Sequence, residues 1–447
     1  MLSASLGGNS IVTGVAPAVS PSGGSGTVLY QRYVLGLLLL TFTVNYIDRQ
    51  ILAILLPAIK TDLDLSDTQL GFLAGTAFAV FYATMGIPMG RLADRTNRRT
   101  MIAVVLAGWS IMTALCGLAQ NFIQLMLARI GVAVGEAGCV PAAHSLISDT
   151  VPPRRRAMAL SIFSSGISLG VLVGFLAGGW ISEFFSWRIA LVTVGLPGIL
   201  LAIVIRLTLR EPLRGRTEGL LDSGDIPALS SVAAHLWQRR SYRHFIGGGA
   251  LTGFAYFSIL QWMPSYLDRS YDMAPSEIGS WLAPVMGIGG GLGALVGGRL
   301  VDTLSRHDER WYMWLPATAA FIASPFTLMV FLLSDPQSML LCLSIPVFLF
   351  AVHLGPMASA IQGFASVRMR GVAVAISLFI TNILSLGLGP QIVGIVSDLM
   401  APRFGVDSLR YAIPSVAVVA LLWSGAHFVA GARSFSHDLI SPIRHQD

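Results

Sequence analysis

The chain has 447 residues, 54% hydrophobic and only 12% charged, with a mean hydropathy of +0.70. A soluble domain carries about 25% charged residues, so this composition excludes an ordinary water-soluble globule and describes a surface that faces lipid. The net charge of +6 does not imply nucleic acid, because the basic residues sit in short loops between apolar stretches.

Residues 1–30 are rich in Ser, Gly, Pro and Ala, with no charge until Arg32. They lack the basic start of a signal peptide and read as a disordered tail. A bilayer core takes about 20 apolar residues per helix. Six spans of that kind are predicted at 33–59, 69–90, 100–119, 122–146, 157–182 and 187–207. Gly166, Gly170, Gly174 and Gly178 recur every four residues in the fifth, the pattern of a close helix approach. A linker over 208–243 follows. From Pro227 to Arg243 it reads as an amphipathic helix on the inner membrane face, with Leu229, Val232, Leu236 and Trp237 apolar and Arg239, Arg240 and Arg243 basic. Six more spans are predicted at 244–267, 277–298, 311–333, 338–364, 371–397 and 409–432, with a kink in the eleventh at Gly387, Gly389 and Pro390. Residues 434–447 are a second tail. Cys116, Cys139 and Cys342 all lie inside spans, so no disulfide framework is expected.

The expected fold is therefore all-α and integral to a membrane. Twelve helices form two six-helix bundles over 31–207 and 244–433. Basic loops fix its orientation: 91–99 carries four arginines, 154–156 three and 206–243 seven. The opposite loops carry only Lys60, Arg188, Arg269, Arg403 and Arg410. The positive-inside rule then puts both termini in the cytoplasm and the chain in the cytoplasmic membrane.

The two halves repeat. Ser66-Asp67-Thr68-Gln69-Leu70-Gly71 opens the second span and Gly90-Arg91-Leu92-Ala93-Asp94 closes it. Ala274-Pro275-Ser276-Glu277-Ile278-Gly279 and Gly298-Arg299-Leu300-Val301-Asp302 do the same for the eighth, at a constant offset of 208 residues. Parallel six-span repeats belong to a large class of secondary transporter, whose substrate site lies near the midplane between the halves.

Four charges are stranded inside spans: Asp48 and Arg49 in the first, Arg129 and Glu136 in the fourth. A charge at the bilayer centre costs at least about 2.5–3.5 kcal/mol, so these groups are expected to face one another or water. Helical rise puts Asp48, Arg49 and Glu136 within roughly 5 Å of the midplane and Arg129 roughly 7–8 Å from it. Burial disfavours a charged carboxylate and a neighbouring arginine favours it, so a carboxylate held between the two can carry a proton. Asp48 and Glu136 are the expected proton carriers. Arg49 is expected to sense the proton or bind an anion. The alternative is a static ion-pair network, most of all for Arg129. The second half has no charge deep in its spans. Asn45 and Tyr46 in the first half, and Tyr256, Gln261, Gln362 and Asn382 in the second, are the candidate cavity lining. Phe257, Phe364, Phe379, His353 and His427 read mainly as packing.

Gly90-Arg91-Leu92-Ala93-Asp94-Arg95-Thr96-Asn97-Arg98-Arg99 resembles the signature loop of the major facilitator superfamily, with Asn97 where the usual pattern has glycine. Asn45-Tyr46-Ile47-Asp48-Arg49, Gly135-Glu136-Ala137 and Arg210-Glu211-Pro212-Leu213-Arg214-Gly215 are similar to segments of the spinster group of lysolipid and sphingolipid transporters. The first two segments also resemble those of proton symporters for sugar acids. The resemblance implies that the first and fourth spans adjoin, which makes Arg49–Glu136 and Asp48–Arg129 the candidate pairs. It implies that Asp94, with Gly90, Arg95, Arg98 and Arg99, forms a latch. Asp94 would meet the N-terminus of the eleventh span, whose dipole favours an anion, and hold the outward-open state. Without the resemblance, this loop reads as a solvated turn and a topology signal.

The expected function is a monomeric, proton-coupled carrier of an amphipathic or anionic small molecule. A sugar-acid symporter and an uncoupled lipid scramblase are the alternatives. No enzyme is expected, and no metal or other cofactor, because no nucleophile, phosphate loop or His/Cys/Asp cluster at ligand spacing is evident.

Overall fold

The computed structural model describes residues 25–212, 228–366 and 369–439. The first half holds α1 (Ser25–Leu63), α2 (Asp67–Arg95), α3 (Arg98–Cys116), α4 (Phe122–Thr150), α5 (Arg154–Phe184) and α6 (Trp187–Thr208). After the short α7 (Leu229–Gln238), the second half holds α8 (Arg240–Tyr271), α9 (Pro275–Leu304), α10 (Trp311–Leu332) and α11 (Pro336–Ile361). It ends with α12 over 370–404 and α13 (Ser408–Ala432). Among the described residues these helices are consistent with the twelve expected. The last two form one apolar run, separated at Gly405, whose φ of 57° suits glycine. α8 is long enough to span but less apolar than the others, because Arg240, Arg243, His244, Asp268 and Arg269 crowd its ends.

The repeat is visible in the backbone. The two non-glycine residues with positive φ among the described ones are Asp64 (48°) and Asp272 (53°). They lie 208 residues apart, and each closes the first helix of its half. Aspartate tolerates this left-handed cap better than most residues. The following helix starts differently in each copy. Ser66 and Gln69 form a capping box on α2. On α9, where Ala274 has no such side chain, Glu183 of α5 accepts from the Ser276 backbone N–H at 2.9 Å.

The tails and linker hold more structure than expected at their described edges. α1 begins at Ser25, inside the segment read as a tail, and Phe435–Asp438 adds a short helix with Phe435 buried. The rest of those segments lies outside the described residues, as does 213–227 of the linker. α7 lies within the segment expected to be an amphipathic helix; Val232 and Leu236 share a buried cluster with Tyr242 and Phe364 of the second half, while Leu229 and Trp237 are exposed.

The glycines of α5 zip it onto α1. A Cβ on Gly166 would crowd Thr43, one on Gly170 would run into Tyr46, one on Gly174 would press on Gln50 and one on Gly178 on Ile54. One turn of α5 thus meets one turn of α1, and α1 is held where Tyr46, Asp48 and Arg49 belong. Across the halves, α2 packs on α12 and α5 on α9. Cβ atoms on Gly71 and Gly75 would sit 2.6 Å from the carbonyls of Pro390 and Gly387. Gly86 lies eleven residues beyond Gly75 on nearly the same face, yet it and Gly90 meet nothing within 4 Å, and neither does Gly371 of α12. α2 and α12 therefore touch at the end away from the chain termini and part toward the other. The irregularity predicted at Gly387–Pro390 begins with a π-helical turn over Ile383–Gly387. It faces a second such turn, Phe72–Thr76, where Thr76 donates to the Gly387 carbonyl at 3.1 Å. π turns recur where helices must adjust.

Candidate functional site: a buried charge cluster and an inter-half clamp

The four stranded charges come together between α1 and α4. Arg49 Nε donates to Glu136 Oε2 at 2.6 Å, which realises one of the two candidate pairs. The other pair does not form as an ion pair. Arg129 Nη1 reaches the backbone carbonyl of Asp48 at 3.3 Å instead of its carboxylate. Both carboxylate oxygens of Asp48 are buried and accept no hydrogen bond among the described residues. Trp109 and Thr113 of α3 face that carboxyl, but neither closes a bond to it. Asn45 is buried beside Glu136.

The Arg49–Glu136 pair uses one oxygen and one N–H. Glu136 Oε1 and Arg49 Nη2 are buried without a partner. A guanidinium fork grips a carboxylate or phosphate with two parallel bonds, so capacity for an anion remains on Arg49. Its side chain is 12% exposed while that of Glu136 is fully buried. The cation lies 4.3 Å from the Tyr82 ring centroid and 5.0 Å from those of Tyr46 and Phe78. These contacts fix a charge that the surroundings would otherwise leave undersolvated. The Arg129 guanidinium lies 5.1 Å from the Phe78 ring centroid. Sequence reasoning missed Phe78 and Tyr82. An apolar aromatic in an apolar helix carries no local signal of its role.

Of the second-half candidates, Gln261 is buried with Oε1 unbonded, and Tyr256 and Asn382 are half-buried. Tyr256 packs edge-on to Phe257 and Phe350 and is an electrostatic neighbour of Tyr46 across the halves. The side chain of Gln362 lies outside the described residues. Phe364 is core, as expected. His353 Nδ1 contacts the Phe350 carbonyl, and His427 pairs with His244, Nδ1 to Nδ1, at 3.2 Å.

The signature loop divides. Asp94 and Arg95 are exposed, and Asp94 makes no hydrogen bond or ion pair among the described residues. Arg98 corrects the solvated reading. It is 1% exposed and joins Asp149 and Glu211, the latter at 2.7 Å, while Nη2 donates to the Pro212 carbonyl. Glu211 also accepts from the Arg99 backbone N–H at 2.9 Å. Asn97 serves as the α3 N-cap, accepting from Thr100 N–H. Glu211 sits in the Arg210-Glu211-Pro212 segment already singled out, so its acid was visible although its partner was not. Breaking a buried pair from one side costs about 3–5 kcal/mol. Arg98→Ala should therefore lower the thermal unfolding midpoint of the purified chain by many degrees, and an unchanged midpoint would make the network ornamental.

A second polar site closes the end opposite the termini, and the sequence did not announce it. Asp67, the first residue of α2, is 2% exposed. Its carboxylate accepts from Lys60 Nζ at 2.6 Å, from both Arg269 Nη atoms at 2.6 and 2.7 Å, and from Ser397 Oγ at 2.6 Å. Arg269 and Ser397 belong to the other half. Asp398 of α12 accepts from the backbone N–H groups of Asp67 and Thr68 at 3.1 and 2.8 Å. An acid near the C-terminal end of α12 thus caps the N-terminus of α2. This mirrors the arrangement expected for Asp94, at the opposite end of the same antiparallel helix pair.

The sequence profile of the Major Facilitator Superfamily matches residues 38–390. An MFS-type efflux pump of Mycolicibacterium smegmatis is 32% identical over 414 residues, covering 92% of this chain and 94% of that protein. A probable L-galactonate transporter of Escherichia coli is 28% identical over 335 residues, 72% of this chain and 73% of that one. Among solved structures, a bacterial homologue of the human lysosomal transporter spinster, in an inward-facing and unoccupied conformation, superposes with a TM-score of 0.82. It shares 29% identity and covers 92% of this chain and 99% of its own.

Proposed function

The chain belongs to the Major Facilitator Superfamily, and from that premise we propose that it is a proton-coupled carrier of an amphipathic or anionic small molecule. The observation that carries this reading is the half-made Arg49–Glu136 pair beside an Asp48 carboxyl that closes no hydrogen bond among the described residues. An ionised carboxylate buried without a partner is far costlier than the neutral acid, so Asp48 stores a proton in this state. Glu136 exchanges one. While charged, it holds Arg49. Once protonated, it releases the guanidinium to a phosphate or carboxylate of the substrate. Binding therefore strengthens as pH falls. Opening at alternate ends follows the Asp67 clamp on one side and Asp94 on the other. The chain works as a monomer in the cytoplasmic membrane, with both termini in the cytoplasm and no catalytic role.

The aromatic surroundings of Arg49, with Tyr256 near Tyr46 and itself packed on Phe257 and Phe350, favour a substrate with an apolar part, in keeping with the spinster likeness. The sugar-acid reading is kept by the likeness to the probable L-galactonate transporter. Proteoliposomes offered a lysophospholipid and a sugar acid across an imposed pH gradient separate the readings. One proton per substrate gives about tenfold accumulation per pH unit. The substrate that accumulates decides between the two carriers. Equal movement with and without the gradient identifies a scramblase and ends the coupled reading.

A further inference from the structure

A groove of about 550 Å³ lies away from the charge cluster, on the outer surface of the second half between α10 and α13. Its walls are Leu328 and Leu332 of α10 and Pro414, Val418 and Val419 of α13. Leu328, Leu332 and Val419 are 44%, 67% and 62% exposed, as residues facing hydrocarbon can be. At one end stand Arg410 and Tyr411, in the first turn of α13. From Arg410 to Val418 the helix rises about 12 Å. That is most of one leaflet's half of the roughly 30 Å hydrocarbon core.

Arg410 is the unusual member. Its Nε donates to the Phe331 carbonyl at 3.0 Å, near the C-terminal end of α10. That bond fixes the side chain at the groove and leaves the two terminal amino groups available. Among the described residues Arg410 forms no ion pair, unlike Arg49, Arg98, Arg188, Arg269 and Arg310. A half-buried arginine at the hydrocarbon boundary without an acid is a poor arrangement unless an anion arrives from outside the chain. Tyr411, 45% exposed, sits where amphipathic rings mark the headgroup level.

A fixed cation at the rim with an apolar trough running toward the midplane matches one kind of occupant. We infer that this groove is a binding site for an anionic glycerophospholipid of the leaflet at the Arg410 end, with its phosphate on the Arg410 guanidinium and an acyl chain between α10 and α13. The ligand is a resident lipid and not the cargo, so the inference does not depend on the transport reading.

Native mass spectrometry of the full purified chain tests it, with phosphatidylglycerol and phosphatidylcholine of matched acyl chains as probes. Wild type should hold phosphatidylglycerol in preference, and Arg410→Gln should weaken it by at least about tenfold, since a hydrogen bond to a charged group is worth that much. Phosphatidylcholine, whose choline cation already offsets the phosphate charge, should lose less in that variant. Val419→Trp, at an exposed position, should fill the trough and weaken both lipids alike. Thermal unfolding checks that each variant is folded. An Arg410→Gln protein that is folded and keeps the full preference overturns the inference. So does a wild type that holds the two lipids equally.

Discussion

Glu136→Gln should leave substrate exchange running and abolish accumulation. Glutamine keeps the size of the side chain and an oxygen for Arg49 Nε, now 2.6 Å away, but it neither carries charge nor takes up a proton. Arg49 is then free for an anion at every pH. Binding should lose its pH dependence and persist to alkaline conditions. In proteoliposomes with a gradient of one pH unit, the wild type should concentrate substrate about tenfold, and the variant should stop at a ratio of about one. Counterflow, which needs only binding and alternating access, should continue in the variant. Arg49→Ala should fail in both assays, because it removes the anion's partner and leaves Glu136 buried and unpaired. If Glu136→Gln accumulates substrate like wild type, the pair is static structure and the proton is carried elsewhere.

Asp67→Asn should open the end opposite the termini. It removes the charge that Lys60, Arg269 and Ser397 share, and it leaves Arg269 partly buried without its counter-ion. Losing one partner of such a pair costs about 3–5 kcal/mol. That cost falls only on the state in which the two halves meet here, so the equilibrium should move by a factor of a hundred or more. Spin labels at the exposed positions Ser66 and Val406 would report it as a longer distance between the halves. Asp398→Asn should act in the same direction and more weakly, since its contribution is two hydrogen bonds to the start of α2 and the helix dipole. An unchanged distance distribution in Asp67→Asn would mean that apolar packing of α2 on α12 alone sets the closed state. On the proposed reading Asp94, exposed here, should be engaged only once the halves close at the other end.

Much of this was legible before any coordinates. Apolar runs located the long helices directly, the less apolar α8 included, and the 208-residue offset that aligns Gly71 with Gly279 also aligns the left-handed caps Asp64 and Asp272. The four charges in spans marked the cluster, because lipid makes every buried charge conspicuous. What stayed hidden were partnerships between distant segments. Arg98 was read from its neighbours in sequence as a solvated helix-end residue, yet its partners are Asp149 and Glu211, 51 and 113 residues away. Asp67 lay in plain view at a helix start, an unremarkable place for an acid. Only packing of α2 against α8 and α12 turns it into a clamp. The choice between Arg49–Glu136 and Asp48–Arg129 depended on side-chain reach to within an ångström or two, which periodicity does not encode.

The most direct test of the coupling mechanism reverses the usual experiment. Proteoliposomes containing a trapped pH dye, with no initial pH gradient, are given a gradient of a lysophospholipid or of a sugar acid. For the substrate that the chain carries, protons should move with it in wild type, and the movement should vanish in Glu136→Gln although exchange persists. Substrate flux through wild type with no accompanying proton movement would contradict the assignment of Glu136 and Asp48 as the coupling device.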